Sequence, residues 1–153
     1  MAKDYVEAAN WFRKAAEQNN IDGQINLGLC YVTGRGVEKD EVEAAKWYRK
    51  AAERNNAWAQ NALAWILATS PNPAIRDGTN ALVLAEKAVA TTTRKKAEYL
   101  DTLAAAYAET SQFEKAISTQ QEAIELLETE EKKNDYQARL KLYETKVPYR
   151  AKD

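Results

Sequence analysis

Histidine is absent from the chain, and cysteine occurs once. Without histidine there is no Ser-His or Cys-His nucleophile pair, and the commonest general base and metal ligand are missing. One thiol, Cys30, cannot close an internal disulfide or assemble a zinc site. Its place between Leu29 and Tyr31 marks it as a packed residue rather than a reactive one. Glycine (5) and proline (3) are scarce, so most of the chain is open to regular structure. Abundant alanine with no β-branched run favours helix. Neither charge sign dominates. Residues 1–69 hold nine basic and nine acidic side chains, and the whole chain nets −1. A nucleic-acid binder needs a basic stripe, and the only basic run, Arg94-Lys95-Lys96, reads as a solvated turn. The longest apolar run, Ala62 to Ala68, is too short to span a bilayer. Asp4 and Glu7 stand where a secretory leader would be apolar. A cytoplasmic location is the default expectation.

What the chain does contain is a repeat. Residues 3–27 align without gaps on residues 39–63, a period of 36, with 16 of 25 positions identical. Periods in the thirties signal stacked helical hairpins that share a core along one axis. Asp4-x-x-Glu7 and Asp40-x-x-Glu43 have capping-box spacing and predict two helix starts. Asn19-Asn20 and Asn55-Asn56 predict their ends, since Asn tolerates the left-handed conformation. Second helices follow at about 22–32 and 57–69. Between the copies, Gly34 and Gly36 predict a tight reversal. That loop lacks the Lys-Ser/Thr and the preceding strand of a phosphate-binding loop. Ser70-Pro71-Asn72-Pro73 ends the fourth helix. Asp77 caps the next, at about 78–90. The stretch 128–133 reads as solvated and charged, and a last helix is expected at about 134–146.

The segment LGLCYVTGRGVEKDEVEAAKWYRKAAE resembles the Sel-one-like repeat, a relative of the tetratricopeptide repeat. Leu27, Gly28, Tyr31, Gly34, Gly36, Val37, Asp40, Ala44, Trp47, Tyr48, Ala51 and Ala52 carry the likeness, which covers about residues 3–69. The second copy departs, with Ala64 for Gly, Leu67 for Tyr and no Gly-x-Gly loop. Residues 97–127 resemble an ordinary tetratricopeptide repeat through Leu100, Leu103, Ala104, Tyr107, Ala116 and Ala123, with Gln120 in place of the usual aromatic. The resemblance implies an all-α fold, a right-handed α-α superhelix of about eight antiparallel helices. It would form one domain over 1–153: Sel-one-like hairpins at 3–69, tetratricopeptide-like hairpins at 70–127 and a capping helix at 128–153. It also places Trp11 and Trp47 in the core.

In these families the first helices of the hairpins line a concave face whose variable positions choose the partner. The expected function is therefore a non-catalytic scaffold or adaptor that binds a protein or peptide there. Assembly or regulation within a larger protein is the alternative. No cofactor, metal, nucleic acid or membrane is expected. Trp58 replaces Asp22 one period on. Trp58, Asn61 and Trp65 fall at i, i+3 and i+7, one helical stripe, and Trp is enriched in binding hot spots. Glu98 and Asp101 give the matching stripe an acidic character, with Ala105 and Ala108. Two acids and two alanines do not suit a carboxylate-binding clamp and favour a basic or amphipathic ligand. The candidate partner site is thus Trp58, Asn61, Trp65, Glu98 and Asp101. Trp11 and Phe12 stand on a first helix without a mate, so either a missing repeat or an oligomer contact through the N-terminal half-repeat is expected there.

Overall fold

A computed structural model describes residues 2–152; Met1 and Asp153, the ends of the expected domain, lie outside the described residues. Eight helices follow one another with no strand among the described residues: α1 (Lys3–Glu17), α2 (Ile21–Thr33), α3 (Glu41–Ala52), α4 (Ala57–Thr69), α5 (Gly78–Thr91), α6 (Ala97–Glu109), α7 (Phe113–Glu125) and α8 (Glu130–Glu144). The chain divides into two compact units, Met1–Leu63 and Ala64–Asp153, with the boundary inside α4.

In the first unit α1 packs on α2 and α2 on α3. The Asn pairs do two jobs. Asn19 and Asn55 both take φ 60° and end their helices. The second Asn of each pair then caps the next helix: Asn20 Oδ1 accepts from Gly23 N at 2.7 Å, and Asn56 Oδ1 from Ala59 N at 2.9 Å. Gln24 and Gln60, one period apart, are buried and donate back to the Ala16 and Ala52 carbonyls. The loop glycines also fit the expectation, with φ 69° at Gly34 and 74° at Gly36. Gly36 lies against α1 so closely that a Cβ would overlap the Tyr5 carbonyl oxygen. Gly28 sits under the Tyr48 ring, 2.7 Å from Cδ1 to a Cβ built there. These small residues are where one helix or loop meets the next.

Two expectations fail in this unit. Asp4 caps nothing: α1 starts at Lys3 with Ala2 as its N-cap. Asp40, by contrast, accepts from Val42 N (2.9 Å) and Glu43 N (3.0 Å). The difference lies in the backbone. Asp40 N donates to Tyr31 O at 3.0 Å, which holds residue 40 extended (φ −149°) ahead of the helix. No such anchor holds Asp4 among the described residues, so the helix continues through it. With its amide already satisfied, Asp40 also needs no reach-back from Glu43, which pairs with Lys46 at 3.1 Å.

Trp11 is the second failure. It is 62% exposed, whereas Trp47, one period later, is 8% exposed. Trp47 packs with Ala16 and Leu27, flanked by Phe12 and Tyr31, all from the hairpin before it. The equivalent positions for Trp11 would have to come from a hairpin preceding α1. Its ring carries the Lys14 ammonium instead, 4.8 Å from the centroid.

In the second unit α5 packs on α6, α6 on α7 and α7 on α8. Asp77 caps α5 as expected, accepting from Asn80 N at 3.1 Å. α6 is the central element: Leu100, Leu103 and Ala104, Ala105, Ala106 and Ala108 are all buried. Alanines on α6 and α7 bring in large side chains from α8. Tyr143 is fully buried against Ala104, Ala108 and Ala116. α8 starts at Glu130, four residues earlier than expected, so part of the charged stretch 128–133 is helical. Acids in a first turn favour this through the helix dipole, and Glu130 and Glu131 occupy that turn.

Candidate binding surfaces

The five residues of the expected partner site do not share one environment. Trp58 and Asn61 belong to the first unit; Trp65, Glu98 and Asp101 belong to the second.

Trp58 is 41% exposed on the first turn of α4. Its ring meets Tyr48 edge to face, with centroids 5.5 Å apart and planes at 75°. Such pairs hold an indole in place while leaving a face open. Tyr48 itself is buried, and burial pushes its phenol above the ordinary range. One turn along, Asn61 Oδ1 is buried with no hydrogen-bond partner in the chain. An orphaned amide oxygen costs roughly 1–3 kcal/mol.

Asp101 does not face an open surface. It is 5% exposed, and its Oδ1 accepts from Gln120 Nε2 and from Arg139 Nε, both at 2.8 Å. Burial pushes its carboxyl above the usual carboxylate range, while Arg139 and Gln120 pull it back. Two donors on one oxygen are what an ionised carboxylate accepts. The Arg139 guanidinium sits among three rings, with centroids at 4.7 Å (Tyr136), 5.3 Å (Tyr149) and 5.6 Å (Trp65). The acidic residue expected to meet a basic ligand therefore already holds the chain's own arginine. Glu98 stays exposed at the start of α6.

Trp65 is half-buried, and its outer neighbour is Tyr149, with centroids 5.7 Å apart. Tyr149 belongs to the segment after α8, which carries no helix and returns to the end of α4, where Ala151 N donates to Thr69 O at 2.8 Å. Arg150 Nη1 reaches Glu109 Oε2 at 2.6 Å, and Glu109 Oε1 also meets Arg76 Nε at 3.3 Å. Arg76 in turn donates to the Ser70 carbonyl at 2.7 Å.

Sequence reasoning missed Gln120, Arg139, Glu109 and the 149–151 segment. One signal was present: Gln120 stands where an aromatic was expected, and a polar side chain at a core position needs a partner. It is fully buried, and it has two, Asp101 and the Tyr136 carbonyl at 3.1 Å.

Among the described residues no helix is long and apolar enough to cross a membrane. Residues 1–20 and 21–56 match the family model of the Sel1 repeat. No curated protein matches the chain. Among solved structures, a protective antigen of uropathogenic Escherichia coli strains that displays an SLR fold is similar at 24% identity and TM-score 0.68. The match covers 94% of this chain and 30% of that one. A Sel1 repeat protein from Oxalobacter formigenes is similar at 28% identity and TM-score 0.63, over 94% of this chain and 57% of that one. The chain thus spans about a third to somewhat over half of the length of these relatives. Modules of this kind generally serve protein interaction. The all-α fold is of the solenoid class these structures share, and residues 1–56 are similar to Sel1 repeats.

Proposed function

We propose that this chain is a non-catalytic protein-interaction module, a scaffold or adaptor that takes a partner protein or peptide on the face of α4 around Trp58. The observation that carries this reading is an indole 41% exposed yet oriented by a buried tyrosine. Asn61, one turn away, adds a polar group that the chain leaves unsatisfied. Trp is among the residues enriched in binding hot spots. Glu98, in the second unit, is a separate exposed acidic position. Asp101 contributes by holding Arg139 and not by touching the partner. The tetratricopeptide-like pattern of 97–127 supports the same role.

Affinity capture with the full chain and with Trp58→Ala, followed by mass spectrometry, tests this. The partner set should shrink for the variant while its circular dichroism is unchanged. Capture of the same partners at the same yield by Trp58→Ala would overturn the assignment.

The second reading, self-association, is favoured by Trp11. A residue whose repeat mate is 8% exposed stands 62% exposed, beside Tyr5 at 50%. Sedimentation velocity of the chain and of Trp11→Ala distinguishes it. A dimer that Trp11→Ala dissolves supports assembly through the N-terminal half-repeat, and a monomer at all concentrations removes it.

A further inference from the structure

Residues 149–151 touch the second unit the way a bound peptide touches a receptor. Three different groups make the contact, two of them side chains that recognise sequence and one a backbone amide. The Tyr149 ring packs on Trp65 and on the cluster of Ala104, Ala108 and Tyr143. The Arg150 guanidinium pairs with Glu109. The Ala151 amide donates to Thr69 O, the last residue of α4. A carbonyl there has no partner inside its own helix and is open to an incoming donor. The segment has no secondary structure of its own, is half-buried at Tyr149 and Arg150, and is flanked by exposed Val147 and Lys152.

The receptor side has supports of its own beside the Tyr149 ring that covers Arg139. Glu109 is held in place by Arg76, which is tied to the Ser70 carbonyl. Trp65 is backed by Arg139, whose guanidinium is fixed by Asp101. The carboxylate, the indole and the helix-end carbonyl are thus each held by elements other than residues 149–151. Sites ordered in advance bind with less entropy loss.

We infer that this surface is a peptide site that the chain's own residues 149–151 fill in cis. Its ligand in trans is an extended segment with an aromatic residue followed by a basic one and then a free backbone N–H. Residues 149–151 are an intramolecular competitor that keeps the site closed until such a segment displaces them. The inference follows the proposed function only in taking a peptide as the partner; the surface is a different one, and Trp58 has no part in it.

The test uses a fluorescein-labelled peptide of residues 147–152 (VPYRAK) and the full chain. The internal segment contact is weakened by Tyr149→Ala with Arg150→Ala. Fluorescence polarisation should show at least about tenfold tighter binding to the weakened chain than to the native one, because local competition is removed. Peptides with Ala at the tyrosine or at the arginine should lose about fivefold or more. Trp58→Ala should leave this binding unchanged, which separates the inference from the proposed function. Equal binding by both chains, or equal binding of a scrambled peptide, would overturn the inference. Hydrogen exchange on the native chain decides the case even if the weakened chain unfolds. Excess VPYRAK should speed exchange at the Ala151 amide, and unchanged exchange at saturating peptide sinks the idea.

Discussion

Removing Asp101 and Arg139 together should cost less than the sum of the two single removals. The two side chains are 7% and 12% exposed, and their contact is 2.8 Å. Asp101→Ala leaves a guanidinium in a buried site with no counter-charge and strips Gln120 Nε2 of one acceptor. Breaking a buried pair in this way costs about 3–5 kcal/mol. The three rings around Arg139 still hold the cation, each contributing about 0.5–2 kcal/mol, so the lower end, about 3 kcal/mol, applies. With a urea m-value of about 1–3 kcal/mol per molar, the midpoint falls by about 1–3 M. Arg139→Ala orphans the carboxylate instead, and that group has an escape. Burial already raises its proton affinity, and loss of Arg139 raises it further. A carboxyl with a raised folded-state pKa binds its proton before the unfolded chain does. Its penalty is therefore full at pH 7 and fades as pH falls toward the ordinary carboxylate range. At pH 7 the double variant should be no less stable than Arg139→Ala alone, because it removes the orphaned charge. At pH 5 that advantage should shrink. Urea denaturation followed by far-UV circular dichroism and Trp fluorescence reads both. Strictly additive costs, with no pH dependence of the difference, would refute the pairing.

Three further outcomes follow from other sites. Gly36→Ala should cost more than about 2 kcal/mol, because a left-handed backbone combines with overlap on the Tyr5 carbonyl. Gly34→Ala should cost only about 1 kcal/mol, since its nearest neighbour, Lys39 Cβ, is 3.7 Å away; thermal unfolding separates the two. Tyr143→Phe should be neutral or stabilising by about 1 kcal/mol, because its hydroxyl is buried without a partner. Burial raises the Tyr48, Tyr136 and Tyr143 phenols, so their neutral forms support the fold below about pH 10 and that support is lost above it. Alkaline unfolding should accordingly be less steep in Tyr143→Phe. Cys30 is buried and its thiol pushed up by desolvation, with Arg35 opposing. Iodoacetamide at pH 8 should therefore alkylate the folded chain about tenfold or more slowly than the chain in urea.

Local sequence codes were legible because their causes are local. Asn19 and Asn55 end helices through their own backbone preference, and Asp40 and Asp77 cap helices two or three residues away. The repeat carried the packing as well, since Trp47 and Gly28 meet neighbours within one period. The same reasoning misled at Trp11, where identity of residue was taken for identity of surroundings. A repeat position is buried by the hairpin before it, so the pattern at 11 predicts a need for cover and not the cover itself.

The second unit was harder for a different reason. Its site is made by pairs far apart in the chain: Asp101 with Arg139, Glu109 with Arg150, Trp65 with Tyr149. No periodicity links such residues, and each alone reads as ordinary surface charge or core aromatic. The departure at Gln120 was the one local trace, because an amide in a core position implies a polar partner on the facing helix. That partner is Asp101. An acid on an apolar helix face and an amide on the next helix are thus best read together. They predict a third member, a cation, on the element that covers them. Applied to this chain, that rule points to α8, whose inward-facing Tyr136 and Tyr143 bracket Arg139. By that rule Asp101 is an internal support and not a ligand contact.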